Sequence, residues 1–275
     1  MAGKTGVGIV GCGTIGGFVL DALMRGKIPH AEARMVCGRS ENSRGRPQAR
    51  DYAVPWTTEP LALLERGVDV VVEAASHEAL EKFGVALLKG GADLIPASLG
   101  ALVDGELLRR LIDAAVQGGS RLHIPSGGIG GLDALRAYMQ AGVQRVCMTT
   151  RKPPAAWKGI PCVERMQLDL ERMQVPALLY SGPARDCVRE FPQNINIAAA
   201  LSLAGVGFEK TQINIWADPH VRYNTHEIEC EGDAGRFFMR LENVPVPENP
   251  KTTYLACLSV VAALENTRAC YRVGT

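Results

Sequence analysis

The sequence is poor in net charge, in long apolar runs and in clustered metal ligands, and each shortage removes a class of function. Lysine and arginine (30) almost balance aspartate and glutamate (29), for a formal charge of +1. Nothing electrostatic therefore points to nucleic acid. No stretch reaches the roughly 20 apolar residues of a membrane span, and the N-terminal MAGKTGVGIVGCG meets glycines too early for the apolar core of a signal peptide. A cytoplasmic protein is expected. The eight cysteines are scattered, with no Cys-x-x-Cys pair and no histidines at zinc-ligand spacing. They read as reduced, packed thiols, with no metal site; a nucleophilic role for Cys147 or Cys230 would need a cationic or helix-terminal setting.

With 275 residues, 47% apolar and 21% charged, the composition suits two globular lobes, each burying its own core. Up to about residue 125, β-branched runs alternate with helix-length segments, the pattern of a parallel sheet covered by helices. Strands are predicted at Thr5–Val10, Ala33–Cys37, Val68–Glu73, Ala92–Ile95 and Arg121–Ile124, and helices at Ile15–Arg25, Glu59–Arg66, Glu78–Lys89 and Asp104–Val116. Beyond Ser126-Gly127-Gly128-Ile129-Gly130-Gly131 the texture changes. A helix at Leu132–Ala141 precedes alternating strands at Val143–Thr150, Gln212–Trp216, His226–Glu231 and Arg236–Leu241, which suggest an antiparallel sheet. Asn249 is the expected cap of a last helix, with Pro250 at its first position. The expected fold class is α/β: a Rossmann-type parallel-sheet domain over residues 1–125, onto which the helix 251–268 packs back, and an α+β domain with a mixed or antiparallel sheet over 126–250. That second domain is expected to carry substrate chemistry and oligomerisation.

The most informative segment is VGIVGCGTIGGFVL, in which a strand runs through Gly11-x-Gly13-x-x-Gly16 into an apolar helix. A glycine triplet alone is weak, but in this setting it is the dinucleotide-binding fingerprint. Gly11 permits the tight turn, Gly13 lets a pyrophosphate reach the backbone, and Gly16 lets helix and strand pack closely. With Thr14 and Ile15 opening the helix, its free N–H groups and positive dipole end point at the phosphates. The second strand does not end in the acid that usually binds the adenine ribose; it ends Cys37-Gly38-Arg39-Ser40. Arg39 and Ser40 suit a 2′-phosphate, so NADP, or dual use of NADP and NAD, is expected. Arg44, Arg46 and Arg50 read singly as a solvated loop. Ala75 and Ser98, just beyond strand ends, complete the expected cofactor crevice; for Ser98 the plainer role is satisfying its turn.

Several further segments carry a resemblance. Ser126-Gly127-Gly128-Ile129-Gly130-Gly131-Leu132-Asp133, Phe191-Pro192-Gln193-Asn194-Ile195-Asn196, Asp218-Pro219 with Asn224-Thr225-His226-Glu227, and Glu248-Asn249-Pro250-Lys251-Thr252 together resemble the L-aspartate dehydrogenase family, in order and across almost the whole chain. The resemblance implies NAD(P)-dependent oxidative deamination of aspartate through iminosuccinate, or the reverse from oxaloacetate plus ammonia, feeding NAD biosynthesis in some bacteria. It places the family's essential histidine on His226, and its cofactor contacts on Gly128, where alanine is usual, and on Asn196 or Asn194.

Apart from the resemblance, any of the five histidines reads as a surface or satisfied core residue, but the chemistry of an imidazole fits the role. Hydride removal from an amine-bearing carbon needs a neutral amine, and an imidazole titrating near working pH can take the proton. His220 is the rival histidine. Asn194 and Asn196 offer amides for a carboxamide or carboxylate, though helix capping explains either. Two substrate carboxylates call for cations or converging N–H groups; Lys251, at the expected helix start, is one candidate, though a solvated lysine is the more common reading. A dihydrodipicolinate-type reductase lacks support because its paired-histidine and lysine motif is absent, and a noncatalytic NAD(P)H-binding redox sensor would need no titratable group. A homodimer formed through the second domain's sheet is the expected assembly.

Overall fold

The structure is a computed structural model and describes residues 3–191 and 196–274. They divide into two compact units, one of residues 3–125 with 257–272, the other of 126–256 with 273–274. Among the described residues, no helix is long and apolar enough to cross a membrane.

The first unit opens β1 (Thr5–Val10), α1 (Thr14–Met24), β2 (Ala31–Cys37), α2 (Arg46–Asp51), β3 (Trp56–Thr57), β4 (Val70–Glu73), α3 (His77–Lys89), β5 (Asp93–Pro96) and α4 (Gly105–Gly118). The strands form a parallel sheet in the order β3-β2-β1-β4-β5. Every residue of β1 and β4 is buried, as a central parallel strand between helical layers requires. Val7, Ile9, Val36, Val70, Val72 and Ile95 meet Val19, Leu20 and Leu23 of α1 in the core.

Two elements differ from expectation. Residues 60–66 form a tight 3₁₀ turn, not an α-helix, starting on Pro60 and ending on left-handed Gly67. Arg121–Ile124 does not become a strand and gives only an isolated bridge between Leu94 and Leu122. The Asp93 carboxylate takes the Arg121 N–H at 2.8 Å and the His123 ring at 3.1 Å, in place of a longer ladder.

The second unit contains α5 (Leu132–Met139), β6 (Val143–Lys152), α6 (Pro161–Glu164), β7 (Ala177–Pro183), α7 (Ala184–Glu190), α8 (Asn196–Ala204), β8 (Thr211–Ala217), β9 (Asn224–Gly232), β10 (Gly235–Asn243) and the short pair β11 (Pro245–Val246) and β12 (Asn249–Thr253). Its main sheet runs β10-β9-β6-β8-β7 and is mixed, not antiparallel throughout, because β6 and β8 run parallel. Side chains alternate between faces: in β9, Asn224, His226, Ile228 and Cys230 are buried on an inner face, whereas Glu227 and Glu229 stand on the outer one.

The last helix, α9 (Tyr254–Asn266), starts later than the sequence suggests. Asn249 lies in β12, not at a helix cap; its Oδ1 accepts the Lys251 N–H and its Nδ2 reaches Thr252 Oγ1, a local turn that keeps this segment extended. Thr253 Oγ1 accepts the Ala256 N–H at 3.4 Å instead. Val260 and Leu264 of α9 join the core of the first unit.

Candidate active site

In the first unit, the strand-to-helix turn after β1 forms one wall of a crevice of about 570 Å³, lined among others by Gly11, Gly13, Arg39, Ser43, Arg44 and Ala75. Gly11 sits at φ +86°, where an L side chain is strained, and a Cβ there would meet the Ala75 Cα at 2.6 Å. A Cβ on Gly16 would collide with the Gly11 carbonyl oxygen, so this glycine is required for close packing. A Cβ on Gly13 would meet nothing within 4 Å; it would project into open crevice. Gly13 precedes α1 with no side-chain cap. This cradle of bare backbone at a helix N-terminus fits a dinucleotide pyrophosphate.

The other cofactor candidates separate. Arg39 and Arg44 line the crevice and are exposed, with Ser43 between them in sequence. Ser40 is not among the lining residues; its N–H instead goes to Ser43 Oγ at 3.1 Å. Arg46 pairs with Glu41 and Arg50 with Asp51, the solvated-loop reading. No acid stands after β2, and Gly38 has no room for a side chain because a Cβ would overlap the Trp56 indole. Thr14 and Gly16 belong to α1 itself, and Ile15 packs against the core.

Sequence reasoning missed Glu73, at the end of β4 and only 2% exposed. Its carboxylate accepts the N–H groups of Ala75 (2.8 Å), Ser76 (3.0 Å) and Ser98 (3.3 Å) and the Ser98 hydroxyl (3.0 Å). Burial pushes this carboxyl upward, and these donors pull it back. Ser98 is thus a brace for the crevice wall, with its hydroxyl turned to Glu73. The signal was the single acid closing the apolar run VDVVVE.

In the second unit, His226 is 3% exposed, on the inner face of β9 opposite Thr150 of β6 and Leu241 of β10. Its Nδ1 lies 3.0 Å from Thr150 Oγ1. The sequence suggested an imidazole titrating near neutral pH; burial first, then the charge of Lys152, pushes it down to about 3, so it is neutral here. Thr150 and Lys152 share this face and escaped sequence reasoning because TTRKPP reads as a strand end running into a loop. The rival, His220, is exposed, and its N–H is held by Asp218 Oδ1 at 2.9 Å. Asp218 itself binds Arg151, so the Asp-Pro segment is structural.

Asn243, also missed, donates from Nδ2 to the Gly128 carbonyl at 2.6 Å and fixes that turn. Asn196 is the first residue of α8; Asn194 lies outside the described residues. Lys251 is exposed on β12, not at a helix start. Burial raises the thiols of Cys147 and Cys230, which disfavours their thiolate forms. Among the described residues there is no cluster of three or more potential metal ligands.

A parallel sheet with a glycine cradle in the first unit and a buried neutral imidazole in the second define a pyridine-nucleotide-binding protein of the dehydrogenase class. Residues 11–125 match the family model for the NAD-binding domain of homoserine dehydrogenase, and residues 133–267 that for the C-terminal domain of aspartate dehydrogenase. An L-aspartate dehydrogenase of Methanosarcina acetivorans is 40% identical over 98% of this chain and 99% of its own. L-aspartate dehydrogenase 3 of Bordetella bronchiseptica is 39% identical over 99% and 98% of the two chains. The crystal structure of an aspartate dehydrogenase from Thermotoga maritima superposes with a TM-score of 0.76 at 26% identity, covering 98% of this chain and 100% of that one. The chain belongs to the aspartate dehydrogenase family.

Proposed function

We propose that this protein is a nicotinamide-dependent L-aspartate dehydrogenase with His226 as its general base. The observation that carries the reading is the 40% identity to an L-aspartate dehydrogenase along 98% of the chain; the buried imidazole of His226 supports its part in it. Oxidation at Cα requires the amino group to lose a proton, because an ammonium has no lone pair to assist hydride departure. In the tautomer that donates Nδ1–H to Thr150 Oγ1, the Nε2 lone pair is the acceptor of that proton. The dinucleotide, when bound, supplies the hydride acceptor. Iminosuccinate then takes up water and releases ammonia to give oxaloacetate, and the same groups serve the reverse direction. The test is aspartate-dependent reduction of nicotinamide by the purified protein, compared with unrelated amino acids.

For the cofactor, the missing acid after β2 and the exposed Arg39 and Arg44 on the crevice wall support NADP used at least as well as NAD. Gly11, Gly13 and Ala75 hold the pyrophosphate side, with Gly128 and Asn196 as the family's further contacts. We also assign a homodimer joined through the outer face of the mixed sheet, where Phe238 is 55% exposed. A cytoplasmic setting agrees with the free cysteines, seven of them buried.

A further inference from the structure

The inner face of the mixed sheet holds a lysine, Lys152, whose role is unassigned. Lys152 ends β6 two residues beyond Thr150, so both side chains share the face that carries His226. Lys152 is only 5% exposed, and its Nζ lies 5.1 Å from the ring centre of Trp157, itself fully buried. After burial, its charge is the second cause that lowers the His226 imidazole. The arginines of these strands, Arg145, Arg151, Arg236 and Arg240, stand on the opposite face, each beside Glu227, Glu229, Glu242 or Asp218. By the strand register, Lys152 is the lysine or arginine that the described residues of this sheet place beside His226.

Lys152 brings a positively charged group into this buried face, where burial pushes it down to about 8. The proposed substrate brings carboxylates to the same imidazole, and a carboxylate against a buried ammonium forms a strong charge-assisted hydrogen bond. We propose that Lys152 is a substrate-binding residue whose ammonium receives a carboxylate of the amino acid that His226 deprotonates. This rests on the dehydrogenase reading given above. It displaces Lys251, which is exposed on β12, as the carboxylate cation. It also gives substrate a second effect: a carboxylate that neutralises Lys152 removes the charge that weakens His226 as a base.

The test uses the full-length protein with its dinucleotide and two ligands: aspartate as substrate, and succinate as a dicarboxylate without the amino group. Lys152→Met is expected to raise the aspartate KM and the succinate inhibition constant by about 30-fold or more, the usual cost of truncating one side of a buried charge pair. The cofactor Kd should stay unchanged. Lys152→Gln, which keeps a polar tip without charge, should show the same loss of succinate binding. Unchanged aspartate KM and succinate inhibition in either folded variant would overturn the assignment, including the case in which kcat alone falls. If the wild-type protein shows no aspartate oxidation, the dehydrogenase reading fails; if it does and the variants bind succinate normally, only the role of Lys152 fails.

Discussion

At the scale of a single residue, Arg39 is the side chain on which the proposed cofactor preference is tested. Its guanidinium stands on the crevice wall where a ribose-binding acid is missing, and a fork of five donors matches a phosphate's oxygens. Arg39→Ala is expected to lower the ratio of kcat/KM for NADP to that for NAD by roughly tenfold, about one charge-assisted contact's worth. An unchanged ratio would assign the 2′-phosphate to Arg44 or remove the preference altogether. Legibility at this scale was uneven. Gly11, Gly13 and Gly16 were readable because backbone approach imposes glycine at fixed spacing. Glu73 and Asn243 were not, since their roles are hydrogen bonds to Ser98 and Gly128, partners far away in sequence.

Among the elements, β6 and β9 matter most, because their pairing sets Thr150 opposite His226 and buries both. That burial has a measurable consequence. The folded imidazole sits near 3, below its ordinary 6.5, so the unfolded chain takes up a proton first as pH falls. Stability is fully present above about 6.5 and is lost between about 6.5 and 3, by at most about 1.4 kcal/mol per pH unit. Urea unfolding should therefore weaken across this window more steeply in the wild-type protein than in His226→Gln. Parallel slopes would mean that the imidazole is solvated in the native state. Strand alternation made most of these elements legible, down to the exact bounds of β1. The tight turn at 60–66 and the late start of α9 were not, because apolar spacing cannot tell 3₁₀ from α geometry and Asn249 can bond its own local backbone as readily as cap a helix.

For the whole molecule, the outer face of the mixed sheet bears Phe238 amid paired arginines and glutamates, including Arg240 with Glu227 and Glu242. Light scattering is expected to give twice the chain mass at micromolar concentration, and a monomer there would remove the homodimer. The division of labour between the units is the larger claim. In the proposed scheme the first offers a backbone cradle for a dinucleotide, and the second offers the neutral imidazole of His226 for a substrate nitrogen. The initial rate of aspartate-dependent nicotinamide reduction, measured for the wild-type protein and His226→Ala with His220→Ala as control, tests this most directly. The wild-type protein and His220→Ala should turn over aspartate, while His226→Ala loses on the order of 10²–10⁴-fold in kcat with its cofactor Kd intact. Failure of the folded wild-type protein to oxidise aspartate, or full turnover in His226→Ala, would contradict the account.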